Sequence, residues 1–234
     1  MLAVYKKELR SYFISPIGYI YVASFLLISS LLFTYTTLYL KTSDVTTYYA
    51  ILLYVFAILI PLLTMRMLSE EKKSRTEQIL LTSPVSLTSV IFAKFLAAFT
   101  LFAGTLLVSC LNFIVLSFFG APNTAVIFST TFGILLIGAA FVAIGIFVSA
   151  CTENQLVAAL LTIAAIVASL AVSMVSQYIT FTPLRVAVRW ISIFDRFYAF
   201  TYGLFDFVAL LYYLSVTVVF IFLTVRIYEK RRWE

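Results

Sequence analysis

Glu70 and Glu71 stand side by side at the head of EEKKSRTEQILLTSP (residues 70–84), the one densely charged stretch of the chain. Adjacent carboxylates perform acid–base chemistry when a pocket separates their pKa values. An exposed loop supplies no such enclosure, and the stretch reads as exposed, which disfavours catalysis. Two readings remain, a solvated loop and a docking surface. Other chemistry lacks its residues. The chain has no histidine. Its two cysteines, Cys110 and Cys151, are far apart and show neither disulfide nor metal-ligand spacing. No G-x-x-x-x-G-K-[ST] phosphate loop is present, so ATP is not bound here by that means.

The elements that carry the charged stretch follow from composition. Hydrophobic residues make up 63%, charged residues 11%, and mean hydropathy is +1.09. Soluble domains are nearer half apolar and a quarter charged, so this chain needs a bilayer as solvent. A hydrocarbon core of about 30 Å takes about 20 apolar residues of helix. Six runs qualify, at roughly 17–40, 48–66, 88–119, 126–150, 154–176 and 206–226. The third is long enough to tilt or to extend beyond the bilayer. The first exceeds a signal-peptide core and has no convincing cleavage site after it, which makes it a retained span.

Six spans put both termini on one side. That side holds Lys6, Lys7 and Arg10, then Arg66, Lys72, Lys73, Arg75 and Lys94, then Arg226, Lys230, Arg231 and Arg232. The opposite side has Lys41, Arg185, Arg189 and Arg196. The positive-inside rule therefore assigns both termini and the 70–84 stretch to the cytoplasm. No Asp, Glu, Lys or Arg falls in the middle of a span, and Lys94 and Asp206 sit near ends. This disfavours a channel or a proton- or cation-coupled carrier, which keep buried charge for function.

Before the first span, Leu2, Tyr5, Leu9, Tyr12 and Phe13 recur at helical spacing with Lys6, Lys7 and Arg10 between them, predicting an amphipathic interfacial helix over 1–14. Ser15-Pro16 and Gly18 then turn the chain into the membrane. Thr152 and Gln155 fit a capping box that opens span five after a very short loop. Small residues in spans four and five (Gly133, Gly138, Gly145; Ala158, Ala159, Ala164, Ala165, Ala168) predict close helix packing, within the protein or at a subunit contact. The aromatic segment 176–206, with Pro183 at a helix start and Arg185 and Arg189 one turn apart, predicts an extracellular interfacial or re-entrant helix. Arg185 and Arg189 either anchor it or attract an anionic group.

Within the charged stretch, Glu71 with Arg75 and Lys73 with Glu77 are at i,i+4 spacing, each worth a few tenths of a kcal/mol. A short polar helix is expected, followed by Ser83-Pro84 as N-cap and first position of span three. A helix polar on every face meets solvent or a polar partner.

MRMLSEEKKSRTEQILLTSPVSLTSVIFAKFLA (65–97) resembles the segment between spans two and three of ABC-2 type transporter permeases, through Arg66, Glu70, Glu71, Thr76, Glu77, Leu80, Leu81, Pro84, Val85 and Lys94. YKKELRSYFISPIGYI (5–20), SACTENQLVAALLT (149–162) and LTVRIYEKRRW (223–233) extend the likeness over nearly the whole chain, especially to permeases of the gliding-motility-associated and copper-enzyme-maturation kind. One residue departs: Arg75 stands where the family usually has Gly, and is expected to favour the helix and alter the charge offered to a partner. The resemblance implies a single transmembrane domain over 1–234, in a bacterial or archaeal cytoplasmic membrane, with no nucleic-acid partner. It implies two permease chains, identical or homologous, with two ATPase subunits that bind the ATP and Mg; this chain then holds no cofactor or metal and is no enzyme. The 69–82 helix would be the coupling helix in an ATPase groove, through Glu70, Glu71, Lys73, Arg75, Thr76, Glu77, Ile79, Leu80 and Leu81. The 1–14 helix would be its connecting helix, and the Thr152–Gln155 turn, with Glu153, a second contact. The expected activity is ATP-driven export of a hydrophobic or amphipathic substrate (lipid, peptide or drug). The alternative is a non-transporting scaffold of an envelope or motility machine.

Overall fold

A computed structural model describes residues 1–76, 86–176, 178, 179, 181, 185 and 192–233, the last two without their side chains. Ten helices are described: α1 (Leu2–Ile14), α2 (Pro16–Phe33), α3 (Thr46–Thr64), α4 (Ser69–Lys73), α5 (Leu87–Ser109), α6 (Asn112–Phe119), α7 (Thr124–Cys151), α8 (Gln155–Ser176), α9 (Tyr198–Thr201) and α10 (Phe207–Trp233). No strand occurs among the described residues. α2 runs on as a π-helix over Thr34–Tyr39. Six stretches are long and apolar enough to cross a membrane: Pro16–Tyr39, Thr46–Lys73, Leu87–Phe119, Thr124–Cys151, Gln155–Ser176 and Phe207–Arg231. The chain is a multi-pass, all-α membrane protein.

Short polar side chains start the spans. Ser15, in extended conformation, accepts from the Ile17 amide at 3.2 Å, with Pro16 at the first helical position of α2. Asn123 accepts from the Ala125 amide at 3.1 Å, and Asp206 from that of Val208 at 2.8 Å. The predicted start of span five shifts by two residues. Asn154, not Thr152, accepts the Leu156 amide at 3.0 Å, while Thr152 ends α7 and its hydroxyl donates back to the Val148 carbonyl. Span three opens later than expected, with Ser86 as the N-cap residue of α5; the predicted Ser83–Pro84 start lies outside the described residues. The long third run is two helices, α5 and α6. It breaks at Cys110–Leu111, where bonds of the i→i+3 kind (Leu111 to Val108, 3.1 Å; Phe113 to Cys110, 3.0 Å) replace the α pattern.

α7 is the centre of the bundle. It packs against α3, α5, α8, α9 and α10, and is the most enclosed of the spans. Its small residues make that possible: a Cβ on Gly138 would lie 2.1 Å from the Phe102 ring of α5. The predicted close packing therefore holds for α7 within the chain. On α8, Ala158 and Ala159 are buried, but Ala164, Ala165 and Ala168 are exposed. α2, α8 and α10 leave much apolar surface outward, including Leu27, Leu31, Leu160 and Val218.

Candidate functional site

The charged residues converge at the end of the bundle where α3 stops, α5 and α8 start, and α1 lies across the outside. Arg66 makes the first tie. It grips Glu70 with two parallel bonds, Nε to Oε2 at 2.6 Å and Nη2 to Oε1 at 2.8 Å, and its Nη1 donates to Ser15 Oγ at 3.1 Å. This fork joins the α3–α4 elbow to the turn between α1 and α2.

Lys94 is the second tie. It lies two turns into α5 and its side chain is 1% exposed. An ammonium has three protons to place. Here they go to Glu8 Oε1 of α1 at 3.0 Å, Glu71 Oε1 of α4 at 2.7 Å and the Met67 carbonyl of the elbow at 3.1 Å. The carboxylates are themselves mostly covered, at 13% and 18% exposed. A buried charge without partners is strongly destabilising, so the three segments must converge for α5 to pack as it does.

Neutral bonds complete the knot. Ser149, near the end of α7, accepts the Leu68 and Ser69 amides at 3.2 and 3.1 Å and donates to the Met65 carbonyl at 3.1 Å. These are helix-end groups that would otherwise be orphaned. Tyr12 donates to the Leu63 carbonyl at 3.1 Å, and Tyr5 to Thr100 Oγ1 at 3.1 Å. Burial, aided by the Glu8 charge, pushes the Tyr12 hydroxyl well above the usual phenol range, so it remains a donor. Between α1 and the elbow lies a cleft of about 650 Å³ lined by Glu8, Tyr12, Arg66, Glu70, Glu71 and Lys94, among others.

The predicted partner-contact residues divide accordingly. Glu71 is ion-paired inward with Lys94, and Glu70 pairs with Arg66 at 45% exposure, so neither carboxylate is free in an open loop as the sequence implied. Glu71 pairs with Lys94 and not with Arg75, because the helix ends first: α4 covers only Ser69–Lys73, shorter than the predicted 69–82 helix, and Ser74–Thr76 form a turn. Arg75 has φ +56°, the left-handed conformation in which helices commonly end on Gly. The residue expected to favour helix thus occupies a helix stop, which supplies a backbone reason for Gly at this position. Lys73, Arg75 and Thr76 are exposed, and the Thr76 and Ser74 hydroxyls bond at 2.9 Å. Glu77, Ile79, Leu80 and Leu81 lie outside the described residues, as does the Lys73–Glu77 pairing. Glu153 is exposed in the turn between α7 and α8, both of which pack against α4.

At the far end, Arg189 and ten other residues of the 176–206 segment, Pro183 among them, also lie outside the described residues. The amide of Arg185 donates to the Phe181 carbonyl at 3.0 Å, and its Nε is buried without a hydrogen-bond partner among the described residues. Among the described residues no cluster of His, Cys, Asp and Glu has metal-binding geometry.

Sequence reasoning passed over Glu8 and Arg66 as site residues and treated Lys94 as an end-of-span charge. The signal was available: a lone lysine inside an apolar run must have a counter-charge, and Glu8 is the one acid before the first span.

Six apolar spans, α7 central among them, and an ion-paired elbow at one end define a multi-pass helical membrane protein. The family of ABC-2 family transporter proteins matches residues 22–227. No curated protein gives a significant match. The chain belongs to the ABC-2 transporter family and is a permease component of an ABC transporter, a membrane part not itself catalytic, of a family that generally works with an ATPase subunit.

Proposed function

We propose that this chain is the membrane-spanning half of an exporter for a hydrophobic or amphipathic substrate, a lipid, peptide or drug, driven by a separate ATPase. Two permease chains, identical or homologous, work with two ATPase subunits, which bind the ATP and Mg. Both termini and the α3–α4 elbow face the cytoplasm. The exposed rim of the elbow (Lys73, Arg75, Thr76), continuing through Glu77, Ile79, Leu80 and Leu81, meets the ATPase, and Glu153 makes a second contact.

The observation that carries this reading is the knot itself. α4 is only five residues long, yet it is fastened to α5 through Lys94, to α7 through Ser149 and to the α1–α2 turn through Arg66. A push on α4 therefore reaches three spans. A solvated loop would need no such fastening. The predominantly apolar spans favour an apolar or amphipathic cargo, because a hydrophilic path would leave polar groups at membrane depth.

The test is hydrolysis and transport in reconstituted bilayers, with an ATPase subunit that co-purifies with this chain. An exporter shows substrate-stimulated ATP hydrolysis, and reversing the elbow charges with Arg75→Glu and Glu77→Arg lowers it. Hydrolysis governed by another protein, with no solute crossing, would instead establish a scaffold.

A further inference from the structure

Lys94 of α5 bonds both α1 and the elbow. The geometry points to Lys94 as a positioning residue that latches the N-terminal helix and α4 to span three through a single ammonium, so that both segments are released together when that ammonium is lost. The inference rests on the coupling reading above for its use, but not for its existence.

The argument is one of valence and burial. All three protons of the ammonium are committed, one to each of Glu8, Glu71 and the Met67 carbonyl, and at 1% exposure the ammonium depends on these acceptors for its charge. Glu8 and Glu71 have no direct bond to each other; each meets α5 through the same nitrogen. Losing one carboxylate leaves the other paired, so one arm can loosen while the second holds. Losing the ammonium leaves two like charges enclosed side by side, which drives both arms outward. Among the remaining ties, those from Tyr5 and Tyr12 hold α1 and that from Ser149 holds α4. Arg66 also reaches both arms, through Glu70 of α4 and Ser15 at the end of α1, but it fastens neither to α5. Among the described residues, Lys94 is the side chain that fastens both arms to α5.

The experiment uses the full chain in nanodiscs, with Cys110 and Cys151 replaced by Ser and a spin label at Ala3→Cys on α1 or Lys73→Cys on α4, both exposed positions. Lys94→Met is expected to mobilise both labels. Glu8→Gln should mobilise only the α1 label, and Glu71→Gln only the α4 label. The neutral triple variant, Lys94→Met with Glu8→Gln and Glu71→Gln, leaves no orphan charge, keeps the fold by size exclusion and still mobilises both. Lys94→Arg should restore the native spectra in part. If either label stays immobile in the triple variant, or if Glu8→Gln alone frees both, the latch is overturned. These readouts need no partner, so they separate the latch from the coupling reading. With the ATPase present, the triple variant should lose roughly tenfold in substrate-stimulated hydrolysis, within the usual span of site-to-site coupling. Mobile labels with unchanged hydrolysis would keep the latch and reject its role in coupling.

Discussion

The two ends of the bundle are held by different chemistry. At the α4 end ionic ties, Arg66 with Glu70 and Lys94 with Glu8 and Glu71, are added to hydroxyl bonds from Ser149 and Tyr12. At the far end the ties are largely hydroxyl groups on backbone carbonyls. Ser129 donates to Leu204 at 3.1 Å, Thr130 to Phe200 at 3.0 Å and Tyr213 to Ile193 at 2.6 Å. Asp195, in the turn before α9, accepts from Ser173 and Ser176 of α8. Each of these hydroxyl–carbonyl bonds joins one pair of segments, 75, 70 and 20 positions apart, and does so independently of the others. A buried ammonium requires several counter-charges at once, and here one nitrogen gathers them from residues 86 and 23 positions away. The neutral ties hold segments pair by pair, whereas the ionic one makes three elements depend on a single group.

That contrast can be broken or sharpened by substitution. Lys94→Met should have the largest effect, because it strands two enclosed carboxylates: about 3–5 kcal/mol of stability in the range for broken buried pairs, read as a lowered thermal midpoint in detergent. A loss no larger than that of an exposed lysine would erase the distinction between the ends. Asp195→Asn should cost less, about 1–2 kcal/mol, since the amide retains one acceptor for the two serine hydroxyls. It should leave hydrolysis by an associated ATPase unchanged, and a change there would mean that the far end also communicates. Arg75→Gly should have the smallest effect and the opposite sign. Relief of the left-handed backbone should raise stability by about 1 kcal/mol, measured by the same melt. Destabilisation would restore the sequence expectation that this arginine serves a helix.

Those outcomes bear on what could be read beforehand. The spans were legible because hydrocarbon thickness fixes their length, and the N-terminal helix because its apolar residues recur at helical spacing. Caps were legible in kind and less so in place: Thr152-x-x-Gln155 has the spacing of a capping box, but α7 runs through Cys151 and Asn154 takes the amide instead. The end of α4 was misread because Arg favours helix intrinsically, whereas position 75 is governed by the left-handed turn that follows Ser74. The Glu8–Lys94–Glu71 contact was not legible as a set, since no local pattern links three residues brought together only by packing. Its parts were visible as a lone acid and a lone lysine.

The central claim, that the α4 elbow receives the motion of an ATPase, has one direct test. A photo-crosslinking residue is placed at Lys73 in the elbow, at Glu153 in the neighbouring turn, and at exposed Tyr178 on the far end, each in full-length chain co-expressed with the ATPase. The account predicts adducts to the ATPase from Lys73 and Glu153 and none from Tyr178. No adduct from Lys73 in a complex that still co-purifies, or an adduct from Tyr178, would contradict it.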